Sequence, residues 1–224
     1  MDFVRFFRVI MGLILIPVCL GFILAFFEEI TGFTYIGSRE LAFLAGGLSY
    51  VLVHSYLIRP RYLHVFEHEL THAFWGALFG GRVKRFYVSS REGFVLLSKT
   101  NFIITLAPYF FPFFTFLAAA ASFFVSEKYV LHIFFLMGFT LVFHMLSAAG
   151  FLRLRQSDIT ETSAIFSIPF VLIVNLFTLV LILKLVSPGN VSLTRFVEVG
   201  IAETREVFSL LWYLSMKAEN IVRR

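Results

Sequence analysis

Five stretches of this chain run for 18 to 26 residues without a formal charge, which restricts its fold more than any other feature. A helix rises 1.5 Å per residue, so about 20 apolar residues cross the hydrocarbon core of a bilayer. Val9–Phe27 supplies 19, preceded by Arg5 and Arg8 and closed by Glu28 and Glu29; Leu41–Ile58 supplies 18, ended by Arg59-Pro60-Arg61. Asn101–Ser126 supplies 26, with Pro108 and Pro112 placed to bend it, Tyr129–Leu152 supplies 24, and Thr162–Leu183 supplies 22. A soluble domain of similar length carries about a quarter charged residues. This one carries 15%, against 59% hydrophobic residues that include 31 Phe. Such a chain has too little polar surface to wrap a water-soluble globule, and lipid must cover its outside. The expectation is an all-α polytopic membrane protein. No small-x-small cleavage site follows the first apolar run, and Ile16-Pro17-Val18 before Cys19 does not read as a lipoprotein site, so that run is read as a retained anchor. The single cysteine excludes an internal disulfide.

A sixth segment, Tyr62–Gly80, has the length of a span but carries Glu67, His68, Glu69 and His72 at its middle. Pro60 suits the first turn of a helix and Gly80-Gly81 its end. Ionisable groups at that depth face a protein interior or a water-filled cavity, and by default they mark function. That makes about six transmembrane helices in one membrane-embedded domain, 1–224, since no Gly/Ser-rich or charge-rich linker divides the chain. Within it, 9–58 holds two N-terminal spans, 62–187 the core with the last span, and 191–224 a tail. Between Arg82 and Lys99 the periodicity shifts to that of strands around Ser90-Arg91-Glu92-Gly93, which predicts a small interfacial β-hairpin. The tail mixes Phe196, Val199, Val207, Leu210, Leu211 and Leu214 with Arg195, Glu198, Arg205, Glu206 and Lys217. That pattern predicts a C-terminal amphipathic helix on the membrane or on the protein. The net charge of +5 sits in short groups between apolar runs, where it anchors helix ends at headgroups. No basic-aromatic surface is left for nucleic acid, which is excluded as a partner.

His68-Glu69-Leu70-Thr71-His72 is an H-E-x-x-H pattern. Residues four apart on a helix lie about 40° apart in azimuth and one turn apart in height, so two imidazoles there can converge on one Zn²⁺. Glu69 is rotated about 100° from His68 and flanks the metal without binding it. From there it can act as general base on a zinc-activated water. His68 and His72 are therefore the candidate ligands, Glu69 the candidate catalytic residue and Zn²⁺ the expected cofactor. A third protein ligand leaves one position open for water or substrate. The chain has only two Asp; Asp2 is terminal, and Asp158, between two spans, is the candidate. Its alternative reading, the N-cap of a helix starting near Thr160, stays open on these residues alone. His64 lies about 12 Å along the helix from His72, too far to share the ion. His54, His132 and His144 read as packing or hydrogen-bonding histidines. Glu67 either orients a ligand imidazole or points into a water cavity.

The H-E-x-x-H within a membrane helix, then Gly80-Gly81-Arg82-Val83 and a short β region, then Asn101 and Pro108, then the distal Asp158, resembles the site-2 protease family of intramembrane zinc metallopeptidases. The resemblance covers about Tyr62–Phe166. In that family the third ligand usually lies in an Asn-x-x-Pro-x-x-x-Leu-Asp-Gly run; Gln156-Ser157-Asp158 here is more similar to the divergent short bacterial branch. Gln156 is the candidate for the family's substrate-contacting Asn. The resemblance implies a multi-pass protein of a bacterial inner membrane with the 82–99 loop facing the cytoplasm. It also implies peptide-bond hydrolysis in a membrane-protein substrate helix, with the lipid bilayer as the protein's other partner. Two other readings share the residues: a membrane zinc hydrolase acting on lipid, and a catalytically silent binding protein, against which Glu69 argues. A di-iron desaturase is disfavoured because it needs several histidine boxes.

Overall fold

The computed structural model describes residues 3–57, 60–153 and 162–222. They are mostly helical, and they form two compact units, Met1–Tyr35 with Ser163–Arg224 and Ile36–Thr162.

In the first unit α1 (Phe3–Thr31) packs against α7 (Ala164–Val186) and α8 (Leu193–Val222). The pairing of α1 with α8 is antiparallel. Arg195 near the start of α8 binds Glu28 near the end of α1 at 2.8 Å, while Gly200 abuts Phe22 and Thr204 abuts Gly21. Small residues at these crossings let two helices approach without a side chain between them. Phe22, Ala25, Val180, Val191 and Phe196 form the buried core of this unit. The tail is thus an amphipathic helix, as the sequence predicts, and the protein surface that it covers is α1. Its second half still exposes Leu210, Leu211, Trp212, Tyr213 and Leu214.

The second unit is built on α2 (Ser38–Leu52), α3 (Arg61–Leu78), β1 (Val83–Val88), β2 (Gly93–Leu97), α4 (Phe102–Leu106), α5 (Phe113–Ala121) and α6 (Glu127–Arg153). Helix α2 lies along α6, and at their crossing Gly46 meets the Phe135 carbonyl while Gly138 meets the Phe43 carbonyl. A Cβ at either glycine would push the helices apart. Helix α2 runs on through a π-helical turn, Val53–Leu57. Helix α3 ends as Gly80-Gly81 predicts: Gly80 adopts φ 72°, and the N–H groups of Gly80 and Gly81 bond the carbonyls of Ala77 and Gly76. This double closure satisfies the last carbonyls and needs glycine at the left-handed position.

The hairpin is present as an antiparallel pair with Val83 opposite Leu97 and Val88 opposite Gly93, and a bulge at Lys84. Its turn is closed by Ser89, whose hydroxyl accepts the Glu92 N–H at 3.0 Å.

Among the described residues three helices are long and apolar enough to cross a membrane: Phe6–Thr31, Glu127–Phe151 and Ala164–Val186. The continuous span expected over Asn101–Ser126 is replaced by two helical pieces, Phe102–Tyr109 and Phe113–Ala121, bent by 76° at the break. Counted as one crossing they bring the total to four among the described residues. The proline pair explains the break. Neither Pro108 nor Pro112 has an N–H to continue the ladder, and each ring crowds the preceding turn. The other two of the six expected spans fall on α2, whose α-helical part has 15 residues, and on α3, whose 18 residues include the charged cluster.

Candidate active site

Helix α3 places His68, Glu69 and His72 as the helical period requires. The rings of His68 and His72 lie with centroids 4.9 Å apart and planes at 82°, one turn apart on one face. Glu67, His68 and Glu69 are all buried, as is Thr71, whose hydroxyl donates back to the Glu67 carbonyl at 2.7 Å. Carboxyl and imidazole groups in such a place carry a desolvation cost that packing alone does not explain.

The broken helix after the hairpin encloses the histidines. Tyr109 sets its ring edge-on to His68, with centroids 5.5 Å apart, and Phe151 of α6 packs on the same imidazole at 4.5 Å. His72 Nδ1 donates to the Ile104 carbonyl at 2.8 Å. A histidine that donates from Nδ1 carries its lone pair on Nε2, the nitrogen then able to bind a metal. Ile104 and Tyr109 escape a reading of the sequence, since neither residue type signals a site. The available signal is Pro108, four residues beyond Ile104.

The hairpin lies along α3 with Gly93, Val95 and Leu97 turned partly inward and Phe94 and Leu96 exposed. Gly93 sits directly over Glu69. A Cβ built there would lie 2.8 Å from Glu69 Cγ and 2.6 Å from Val65 Cγ1. Gly93→Ala should therefore displace the carboxylate. A misplacement of about 1 Å can cost on the order of 10²-fold in rate. The expected result is a loss of at least about tenfold in kcat with zinc content unchanged, checked by parallel turnover and metal assays.

The remaining histidines behave as packing and hydrogen-bonding groups. Tyr50 Oη bonds His64 Nε2 at 2.9 Å, His54 and His64 stack at 5.9 Å, and His144 Nδ1 faces Glu67 Oε2 at 3.4 Å. Glu67 thus turns to α6. Asp158 and Gln156 lie in 154–161, outside the described residues. Among the described residues no three His, Cys, Asp or Glu side chains group as a metal site. The donor set that is described fits zinc: two imidazoles one turn apart, one with its outer nitrogen already engaged by a carbonyl, beside a buried carboxylate.

No curated protein and no solved structure matches this chain. A family model described as Peptidase M50B-like matches residues 41–187, which contain the H-E-x-x-H helix, the hairpin and the broken helix. That match bears out the resemblance to the site-2 proteases, and with its apolar helices it makes the protein an integral membrane protein. The chain belongs to the M50B-like peptidase family.

Proposed function

We propose that the protein is an intramembrane zinc endopeptidase that hydrolyses peptide bonds of membrane-spanning substrates in a bacterial inner membrane. The observation that carries this reading is the burial of His68 and Glu69, with half-buried His72 one turn further along the same helix, inside a chain made for lipid. In this reading α2 and α3 also cross the bilayer. His68, His72 and Asp158 would hold the metal, and Glu69 is the general base. Bound zinc would supply Lewis acidity toward the scissile carbonyl and lower the pKa of a water to about 7. Glu69 takes the proton from that water and returns it to the leaving amine. Its burial against Gly93 keeps the carboxylate in one place and limits competing solvent.

A substrate helix must expose its peptide bonds to be cut, which is costly in lipid unless another backbone satisfies them. The hairpin offers such a backbone. It is two strands wide, it lies against α3, and β1 is exposed along Val83–Tyr87. A substrate strand adding to one edge would be held beside Glu69. Val95→Pro, Val83→Pro and Tyr87→Pro each remove a backbone donor from one strand or the other. At least one should cripple cleavage of a single-span substrate in vesicles while zinc content stays near wild type. If all three fold, keep zinc and cut at the normal rate, strand addition is not how substrate is held. The reading as a whole is tested by reconstituting the protein with single-span substrates in lipid vesicles. Cleavage should stop with a zinc chelator and return with added Zn²⁺. Hydrolysis of phospholipid with no cut in any peptide would move the site to lipid chemistry.

A further inference from the structure

The Ile104 carbonyl that receives His72 is available for a reason written four residues further on. In an α-helix the carbonyl of residue i accepts the N–H of residue i+4. For Ile104 that residue is Pro108, which has no N–H. The neighbouring donor, the Ala107 N–H, goes to the Ile103 carbonyl instead. The helical piece is fixed at its other end by Asn101, whose side-chain oxygen accepts the Ile104 N–H at 2.9 Å. Ile104 is 1% exposed, so without a donor its carbonyl would be buried and unsatisfied, at a cost of about 1–3 kcal/mol. His72 Nδ1 fills that vacancy at 2.8 Å.

We propose that Pro108 and Asn101 are positioning residues for His72. The proline frees the Ile104 carbonyl, the asparagine cap aims it, and the carbonyl holds the imidazole as the Nδ1–H tautomer, with its lone pair on Nε2, the nitrogen that would bind the metal. This rests on the reading of His72 as a zinc ligand, but the tautomer itself does not. The same short segment also sets Tyr109 against His68, so one proline-terminated turn braces both candidate ligand rings. A proline at 108 is thus more than a helix breaker: moved by one residue it would free a different carbonyl, about 100° away around the helix.

The test uses full-length protein in detergent micelles, with ¹⁵N-labelled histidine and assignment of His72 by comparison with His72→Gln. In metal-free wild type, above the pH at which the imidazole is neutral, the ¹⁵N shifts should show the Nδ1–H form. Pro108→Ala restores a competing N–H and should shift His72 toward a mixture of tautomers. Asn101→Ala should do the same, and Asn101→Asp, which keeps an acceptor for the Ile104 N–H, should restore the wild-type form. Zinc affinity, measured by chelator competition, should fall roughly 10–100-fold in Pro108→Ala and Asn101→Ala and recover in Asn101→Asp. A metal-free wild type with His72 in the Nε2–H form overturns the proposal whatever the variants do. So does a folded Pro108→Ala protein with unchanged tautomer and unchanged zinc affinity. If the wild type shows the Nδ1–H form and Pro108→Ala disturbs it, yet neither protein binds zinc, the positioning stands and the zinc reading fails.

Discussion

Glu69→Gln should abolish peptide-bond cleavage while leaving the fold and the metal content intact. The amide has nearly the shape of the carboxylate but cannot accept the proton from water, so the chemical step loses its base. General bases typically contribute 10²–10⁴-fold, and the loss here should exceed about that range because no other carboxylate lies on this face of α3 next to His68 and His72. Glu67 is one residue from His68 in sequence, yet it turns to His144 and cannot substitute. Turnover of a single-span substrate in vesicles, with circular dichroism and metal analysis on the same sample, reads the outcome. A Glu69→Gln protein that still cuts would remove the peptidase reading.

The second large effect is on the metal. In the proposed function His68→Ala, His72→Ala and Asp158→Ala each delete one zinc ligand. Each should lower zinc occupancy from about one per chain to near zero under chelator challenge, with activity lost in parallel. The histidine variants differ in a useful way. His72→Ala also leaves the Ile104 carbonyl buried without its donor, at a cost of about 1–3 kcal/mol. It should therefore lower thermal stability more than His68→Ala does. Full zinc and full activity in Asp158→Ala would place the third ligand elsewhere.

What the sequence discloses of this protein follows the range over which each signal acts. The H-E-x-x-H pairing was legible because four residues of helix fix two side chains on one face, whatever surrounds them. The hairpin was legible from its change of period and from the turn around Ser90-Arg91-Glu92-Gly93, although strand β2 already begins at Gly93. The apolar runs identified the membrane environment, since no folded state in water could bury them. The same runs hid the break after Tyr109. A hydrophobic stretch of sufficient length reads as a span, and the prolines within it announce a bend without its angle. Tertiary partners were not legible at all. Nothing local in Gly93 says that it roofs Glu69, and nothing in Phe196, Gly200 or Thr204 says that α8 lies along α1, some 170 residues away in the chain. Such contacts depend on close approach of distant backbones, which a residue's own neighbours do not encode.

In the proposed function His68 and His72 share a zinc ion with Glu69 beside it. Metal analysis of the purified protein, prepared without added metal and without affinity tags that bind it, tests this most directly. The expected content is about one Zn²⁺ per chain, retained through dilution and absent from a His68→Ala, His72→Ala double variant prepared in the same way. A well-folded wild type that holds no zinc, and takes up none when zinc is supplied, would contradict it.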